Sequence, residues 1–237
     1  MLEQSARIDL NNMTSFENIS ICFDLDGTLV DTAQDLIRVL DEIMKDHGHA
    51  PTNYDKMRNL VGLGSRAMIT QAFQDVGESP PATDIDTIQK RFLKDYENGI
   101  ALKSRPFAGV DTTLKFLKQH GAKLSICTNK PGYLARPLIK ALEMDHYFER
   151  IIGSDDVTQK NPSPEHIFRA VGHRKTRPII MVGDSITDIG AARAACIPCI
   201  IMSYGYTTIP VGNLGADRVL RHFRHIPMAA KSLLGLH

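Results

Sequence analysis

From Pro106 onward the chain alternates short apolar runs with amphipathic stretches of about ten residues, and that alternation restricts the fold more than any other feature. Lys123 to Thr128 (KLSICT), Ile151 to Gly153, Pro178 to Val182 (PIIMV) and Cys199 to Met202 read as strands. Asp111 to His120, Gly132 to Leu142, Pro164 to Val171 and Ile186 to Ala195 read as helices. Gly121 ends the first of these, and Pro137 either kinks the second or marks a late start. Strand and helix in turn predict right-handed crossovers and a mostly parallel α/β sheet. Ile19 to Phe23 adds a buried strand near the beginning, Ala216 to Leu220 an edge strand, and the last residues a closing helix.

Between about Thr32 and Ala101 the pattern is helical only. Leu36, Val39, Leu40, Ile43 and Met44 recur at helical spacing from Ala33 to Asp46, and Gly48 stops that helix. Gly62-Leu63-Gly64-Ser65 reads as a loop ending in an N-cap, followed by a helix carrying Ala67, Ile69 and Phe73 and closed by Gly77. Ser79-Pro80-Pro81 breaks the chain, and Asp84 to Asn98 forms another helix with Ile85, Ile88, Phe92 and Leu93 on one face. The sequence therefore predicts a discontinuous α/β unit, residues 1–32 and 105–237, interrupted by an all-helical domain over 33–104.

Chemistry collects just beyond the carboxyl ends of strands in such sheets. Asp24 and Asp26 stand there, where the first strand gives way to Gly27-Thr28. Two carboxylates that close repel unless a hard cation or a shared proton intervenes; as single residues, Asp24, Asp26 and Asp31 also suit turns and helix caps. Three further loops follow strands of the same sheet. Thr128-Asn129-Lys130 offers a hydroxyl, an amide and backbone N–H groups able to hold a phosphate. Lys160-Asn161-Pro162-Ser163-Pro164 is a stiff loop with a cation, and Gly183-Asp184-Ser185-Ile-Thr-Asp188 adds two carboxylates. Four such loops at one sheet edge outweigh the capping explanation available to each.

The arrangement resembles the haloacid dehalogenase-like superfamily over nearly the whole chain. Asp24-Leu25-Asp26-Gly27-Thr28-Leu29-Val30-Asp31-Thr32 matches its first motif, Thr128 its second and Gly183-Asp184-Ser185-x-x-Asp188 its fourth. The helical insertion is similar to that superfamily's cap domain, on a Rossmann-like core. Val61-Gly62-Leu63-Gly64 and Ser203-Tyr204-Gly205-Tyr206 look like its phosphoglycolate phosphatase branch.

The resemblance implies a magnesium-dependent phosphatase of a small phosphate monoester, 2-phosphoglycolate first. Asp24 would be the nucleophile and form an aspartyl-phosphate; Asp26 would be the acid and base. Mg2+ would be held by the Asp24 carboxylate, the Asp26 backbone carbonyl and Asp184, with Asp188 supporting them. Gly27 would let the backbone approach the phosphate, and Thr128 and Asn129 would donate to it. Asp26 favours phosphate-ester chemistry over carbon–halogen cleavage, and Thr28 stands where mutases commonly have Val. One departure is Asn161, where the third motif has Lys; Lys160 lies one residue earlier. Either Lys160 reaches the site or a cation is missing there, a loss of roughly 2–4 kcal/mol of transition-state stabilisation. Arg66 is the candidate for a substrate carboxylate, against a plain solvent-facing role. The alternatives are a phosphatase of a sugar phosphate or pyrophosphate, and a low-activity phosphometabolite-binding sensor.

Composition sets the remaining bounds. A net charge of +1 gives no basis for binding nucleic acid or an anionic membrane, and no apolar stretch approaches a membrane span. MLEQSARIDLNN lacks a secretory pattern, and four cysteines suit a reducing compartment, so the cytoplasm is expected. Cys22 and Cys127 fall in strand-like runs as packing residues; Cys196-Ile-Pro-Cys199 has no second pair at zinc spacing. The expected partner is a small phosphorylated metabolite. Oligomeric state leaves no mark on the sequence.

Overall fold

The computed structural model describes residues 15–80, 84–159, 161–172 and 174–236. In chain order the elements are β1 (Ser20–Phe23), β2 (Val30–Asp31), α1 (Ala33–Asp46), α2 (Tyr54–Arg58), α3 (Ser65–Asp75), α4 (Ile85–Asn98) and β3 (Arg105–Pro106). They continue with α5 (Val110–Gln119), β4 (Lys123–Cys127), α6 (Gly132–Ala141), β5 (Arg150–Ile152) and α7 (Pro164–Val171). The last are β6 (Ile179–Gly183), α8 (Ile186–Ala194), β7 (Cys199–Met202), β8 (Arg218–Leu220) and α9 (Ile226–Leu234).

Six strands form one sheet in the order β5-β4-β1-β6-β7-β8, and every pair is parallel. β1 lies between β4 and β6, with Phe23 opposite both Ile126 and Val182. The strand order reverses at β1, so the loops after β1, β4 and β6 open into one crevice at a switch point. Side chains alternate across β1: Ile21 and Phe23 enter one buried cluster, while Cys22 joins Cys127 and Met181 in the cluster on the other face. Both cysteines therefore pack in the core as the sequence indicates.

Helices α1 to α4 fill the stretch between β2 and β3 and bury Leu40, Ile43, Phe73, Phe92 and Tyr96 in a cluster of their own. Where the chain enters and leaves this stretch, β2 and β3 pair antiparallel, Val30 opposite Pro106 and Asp31 opposite Arg105. Asp35, fully buried in the first turn of α1, accepts from Lys103 and Ser104 backbone N–H groups and from the Ser104 hydroxyl at 2.7–3.1 Å. That carboxylate ties the start of the helical stretch to its end.

Three elements differ from the sequence expectation. The β2–β3 ribbon is too short to leave a periodic trace. Helix α2 has five residues and rests on its cap, the Asn53 side chain accepting from the Lys56 N–H at 3.0 Å. Helix α6 runs through Pro137 rather than starting after it. Among the described residues no helix is long and apolar enough to cross a membrane.

Candidate active site

β1 ends at Phe23, and the Asp24 N–H still donates to the Val182 carbonyl at 2.9 Å, so the sheet ladder fixes the backbone of Asp24. The carboxylates of Asp24, Asp184 and Asp188 converge, with one oxygen from each within 4.8 Å of the others. Asp184 and Asp188 are buried, whereas Asp24 retains an opening to the cavity above. Burial, followed by the charges of Asp188, Asp184 and Asp26, pushes the Asp24 carboxyl well above the usual range. Asp184 is raised by burial and by Asp188, and Asp188 by burial against its own hydrogen bonds. A site that opposes ionisation of its own acids in this way suits a hard cation.

Each of the buried acids is held in place. Asp184 accepts from the Thr28 hydroxyl at 3.0 Å and the Tyr206 N–H at 2.5 Å. One oxygen of Asp188 accepts from the Asp184 and Ser185 N–H groups and the Ser185 hydroxyl, which closes a capping box on α8. Asp188 thus both caps its helix and presents its carboxylate to the acidic group, a more direct place than the supporting one expected. Gly27 also packs against the acidic group. Its N–H donates to the Val30 carbonyl at 2.9 Å, and a Cβ there would run into the Asp184 carboxylate. At φ +87° and with Asp184 this close, the position takes Gly whatever else approaches it. A Cβ at Gly205 would likewise run into the Asp184 side chain.

A cavity of about 170 Å³ lies over Asp24, walled by Asp26, Thr128, Asn129 and Lys130 from the sheet edge. Gly62, Leu63, Phe92 and Tyr96 close it from the helical stretch. The Thr128 hydroxyl accepts from the Lys130 N–H at 3.2 Å, which leaves its proton free to point elsewhere. The Asn129 side-chain carbonyl is buried without a partner, and the buried Tyr96 hydroxyl, which faces the Lys130 ammonium, has no acceptor for its proton.

Lys130 is the cation that sequence reasoning missed. Its Nζ lies 3.2 and 3.1 Å from the two Asp26 carboxylate oxygens and 4.3 Å from the centre of the Tyr96 ring. The pair is nearly dry, the side chains being 4% and 13% exposed. Burial would lower the Lys130 pKa, but Asp26 and Tyr96 outweigh it and hold the ammonium charged above its ordinary value. Lys130 was in view as part of the Thr128 loop; its partner lies 104 residues away and no local pattern reveals it. For Tyr96 a signal existed: it continues the buried face Ile85, Ile88, Phe92 of α4, where a hydroxyl needs a destination.

Lys160 lies outside the described residues. Its neighbour Asn161 is buried away from the cavity wall, its N–H donating to His166 Nδ1 at 3.3 Å and its side-chain carbonyl facing the Cys127 thiol at 3.5 Å. Arg66 reaches the cavity mouth but is exposed there and bonded to Asp86 at 2.5 Å and Gln89 at 3.4 Å. Two further residues join the helical stretch to the site. Arg58 donates to the Tyr204 carbonyl at 2.8 Å and lies 4.8 Å from the centre of the Tyr206 ring. The Tyr206 hydroxyl donates to Asp31 and accepts from the Thr32 and Ala33 N–H groups at 2.9 and 3.1 Å. It caps α1, a task the Thr32 side chain does not perform.

Comparison with known proteins extends these observations. The haloacid dehalogenase-like hydrolase family matches residues 21–202. The phosphoglycolate phosphatase of Caulobacter vibrioides is 40% identical over 229 residues, 95% of this chain and 94% of that one. The enzyme of the same name from Agrobacterium fabrum is 41% identical over 203 residues, 85% of this chain and 87% of its own. Among solved structures, a predicted phosphoglycolate phosphatase from Haemophilus somnus superposes with a TM-score of 0.81 at 26% identity, covering 90% of this chain and 98% of that one.

Proposed function

Because the chain belongs to the haloacid dehalogenase-like hydrolases and is a phosphoric monoester hydrolase, we propose that it hydrolyses 2-phosphoglycolate through a covalent phosphoryl group on Asp24. The observation that carries this reading is the position of Asp24. It is fixed by the sheet, open to a small cavity, and flanked by an acidic cluster on one side and the Asp26–Lys130 pair on the other. Relatives that share 40% and 41% of its residues over most of their length bear the name of that activity. At about 170 Å³ the cavity suits a metabolite of few atoms, being smaller than the roughly 300–1,000 Å³ usual for drug-sized ligands.

The residues divide the chemistry as follows. An Asp24 oxygen attacks phosphorus while the P–O bond to the leaving alcohol breaks in line. Asp26 gives its proton to the departing oxygen, then takes one from the water that attacks the aspartyl-phosphate and returns Asp24 to a carboxylate. The Thr128 hydroxyl and the amide of Asn129 donate to the phosphoryl oxygens. Asp24, Asp184 and the Asp26 backbone carbonyl, with the Asp188 carboxylate close by, would hold Mg2+, which would neutralise charge on the phosphoryl oxygens and on Asp24. The helical stretch over 33–104 acts as a cap that excludes bulk water. Four free thiols, three of them buried, fit the reducing conditions of the cytoplasm.

Phosphate release from a panel of monoesters, measured with magnesium and with Asp24→Asn as the blank, tests this reading. Selective release from 2-phosphoglycolate that disappears in Asp24→Asn is expected. Preference for a sugar phosphate or pyrophosphate would change the substrate, and release that survives the substitution would refute the mechanism.

A further inference from the structure

We propose that Lys130 and Tyr96 together form a subsite for a carboxylate on the leaving alcohol of the substrate, and that this pair, rather than Arg66, selects the substrate. The inference rests on the phosphatase reading above and assigns its specificity to two residues.

Position gives the first argument. The Lys130 ammonium contacts Asp26, the group that meets the departing oxygen in that reading, and not Asp24 or the acidic cluster. It therefore lies on the leaving-group side of the cavity, where anything attached to the ester oxygen must extend. Donor capacity gives the second. Two of the ammonium's three N–H groups are accounted for by the Asp26 oxygens and the third faces the Tyr96 oxygen, so the Tyr96 O–H is left as a buried donor with no acceptor. A buried unpaired donor is costly unless a ligand satisfies it. A buried ammonium charge beside an O–H that lacks an acceptor suits a carboxylate, which would accept from Tyr96 and share the Lys130 charge. Size gives the third: at about 170 Å³ the cavity suits a short acid better than a sugar carrying a second phosphoryl group.

Arg66 is a weaker candidate on the same grounds. It is 53% exposed on its side chain and already paired with Asp86, itself 68% exposed, so its attraction for a ligand is screened by water.

The test compares 2-phosphoglycolate with ethyl phosphate, which keeps the ester and the two carbons but lacks the carboxylate. The ratio of kcat/KM for the two esters is measured in wild type, Lys130→Met, Lys130→Arg, Tyr96→Phe and Arg66→Ala. The ratio is expected to fall at least tenfold in Lys130→Met, chiefly through KM, and about threefold to tenfold in Tyr96→Phe. Lys130→Arg should recover most of the Lys130→Met loss. Parallel losses on both esters would overturn the proposal, because Lys130 would then serve only Asp26; a larger fall in Arg66→Ala than in Lys130→Met would overturn it too. Calorimetric titration of Asp24→Asn with both esters, with and without Lys130→Met, gives the same ratio without turnover. It separates failure of the subsite from failure of the phosphatase reading and detects a variant that does not fold. Ester affinities that respond equally to Lys130→Met in that titration would count against the subsite.

Discussion

Replacing Asp24 by Asn should stabilise the metal-free protein while abolishing its chemistry. Three carboxylates have oxygens within 4.8 Å of one another. Two unit charges at that distance repel by about 3 kcal/mol at an effective dielectric constant of about 20. Asp24 is raised well above the usual carboxylate range by burial and by those neighbours. A carboxylate raised in the folded state contributes most to stability at pH below its unfolded value and loses that contribution as pH climbs through the folded one. Above its ordinary titration range, keeping Asp24 in the charged form therefore opposes the fold, and the neutral amide removes that opposition. Protein relaxation reduces the full Coulomb value, leaving an expected gain of about 1–3 kcal/mol, or roughly 3–9 °C in Tm for a chain of this size. Thermal melts in EDTA between pH 5 and 8 check this: the gain should be larger at pH 8 than at pH 5, because a carboxyl raised in the folded state costs more stability as pH rises above its unfolded value. Magnesium at a hundred times its dissociation constant should restore about 2.7 kcal/mol to the wild type and much less to the variant. An Asp24→Asn protein less stable than wild type in EDTA at pH 8 would refute the reasoning.

Three other substitutions probe how the site is held. Tyr206→Phe removes the hydroxyl that caps α1 and should cost about 1–2 kcal/mol in urea unfolding. Gly205→Ala brings a Cβ against Asp184; the thermal shift produced by magnesium should fall more than the melting temperature of the metal-free protein does. Asp35→Ala leaves two backbone N–H groups and the Ser104 hydroxyl without their acceptor and should destabilise by about 2–4 kcal/mol in the same urea experiment.

The sheet was legible because its strands alternate with helices whose glycines and prolines punctuate them, from KLSICT to the Cys199–Met202 strand. The boundaries of α1 and α7 were readable to the residue for the same reason. The carboxylates were visible because Asp24, Asp26, Asp184 and Asp188 sit at strand ends. What escaped depends on contacts between distant parts of the chain. Lys130 meets Asp26 across 104 residues, and Tyr206 reaches Asp31 across 175. Gly27 is visible in the sequence as a turn glycine, but its packing against Asp184, far along the chain, is not. The Arg58 contact with the Tyr204 carbonyl depends on how the helices lie over the sheet, which local periodicity does not encode.

The central place of β1 divides the site into halves that come apart at different rates. The Asp24 amide is bonded into a strand that has neighbours on both sides, so its hydrogen exchanges with solvent only when the whole sheet unfolds. The opposite wall is fastened by side chains, among them Arg58, Tyr206 and the Lys130–Tyr96 contact, and is expected to open at lower free energy. A ligand can enter and leave many times through that side while the attacking oxygen stays in register. The reactive half keeps its alignment through every such opening and loses it only with the fold.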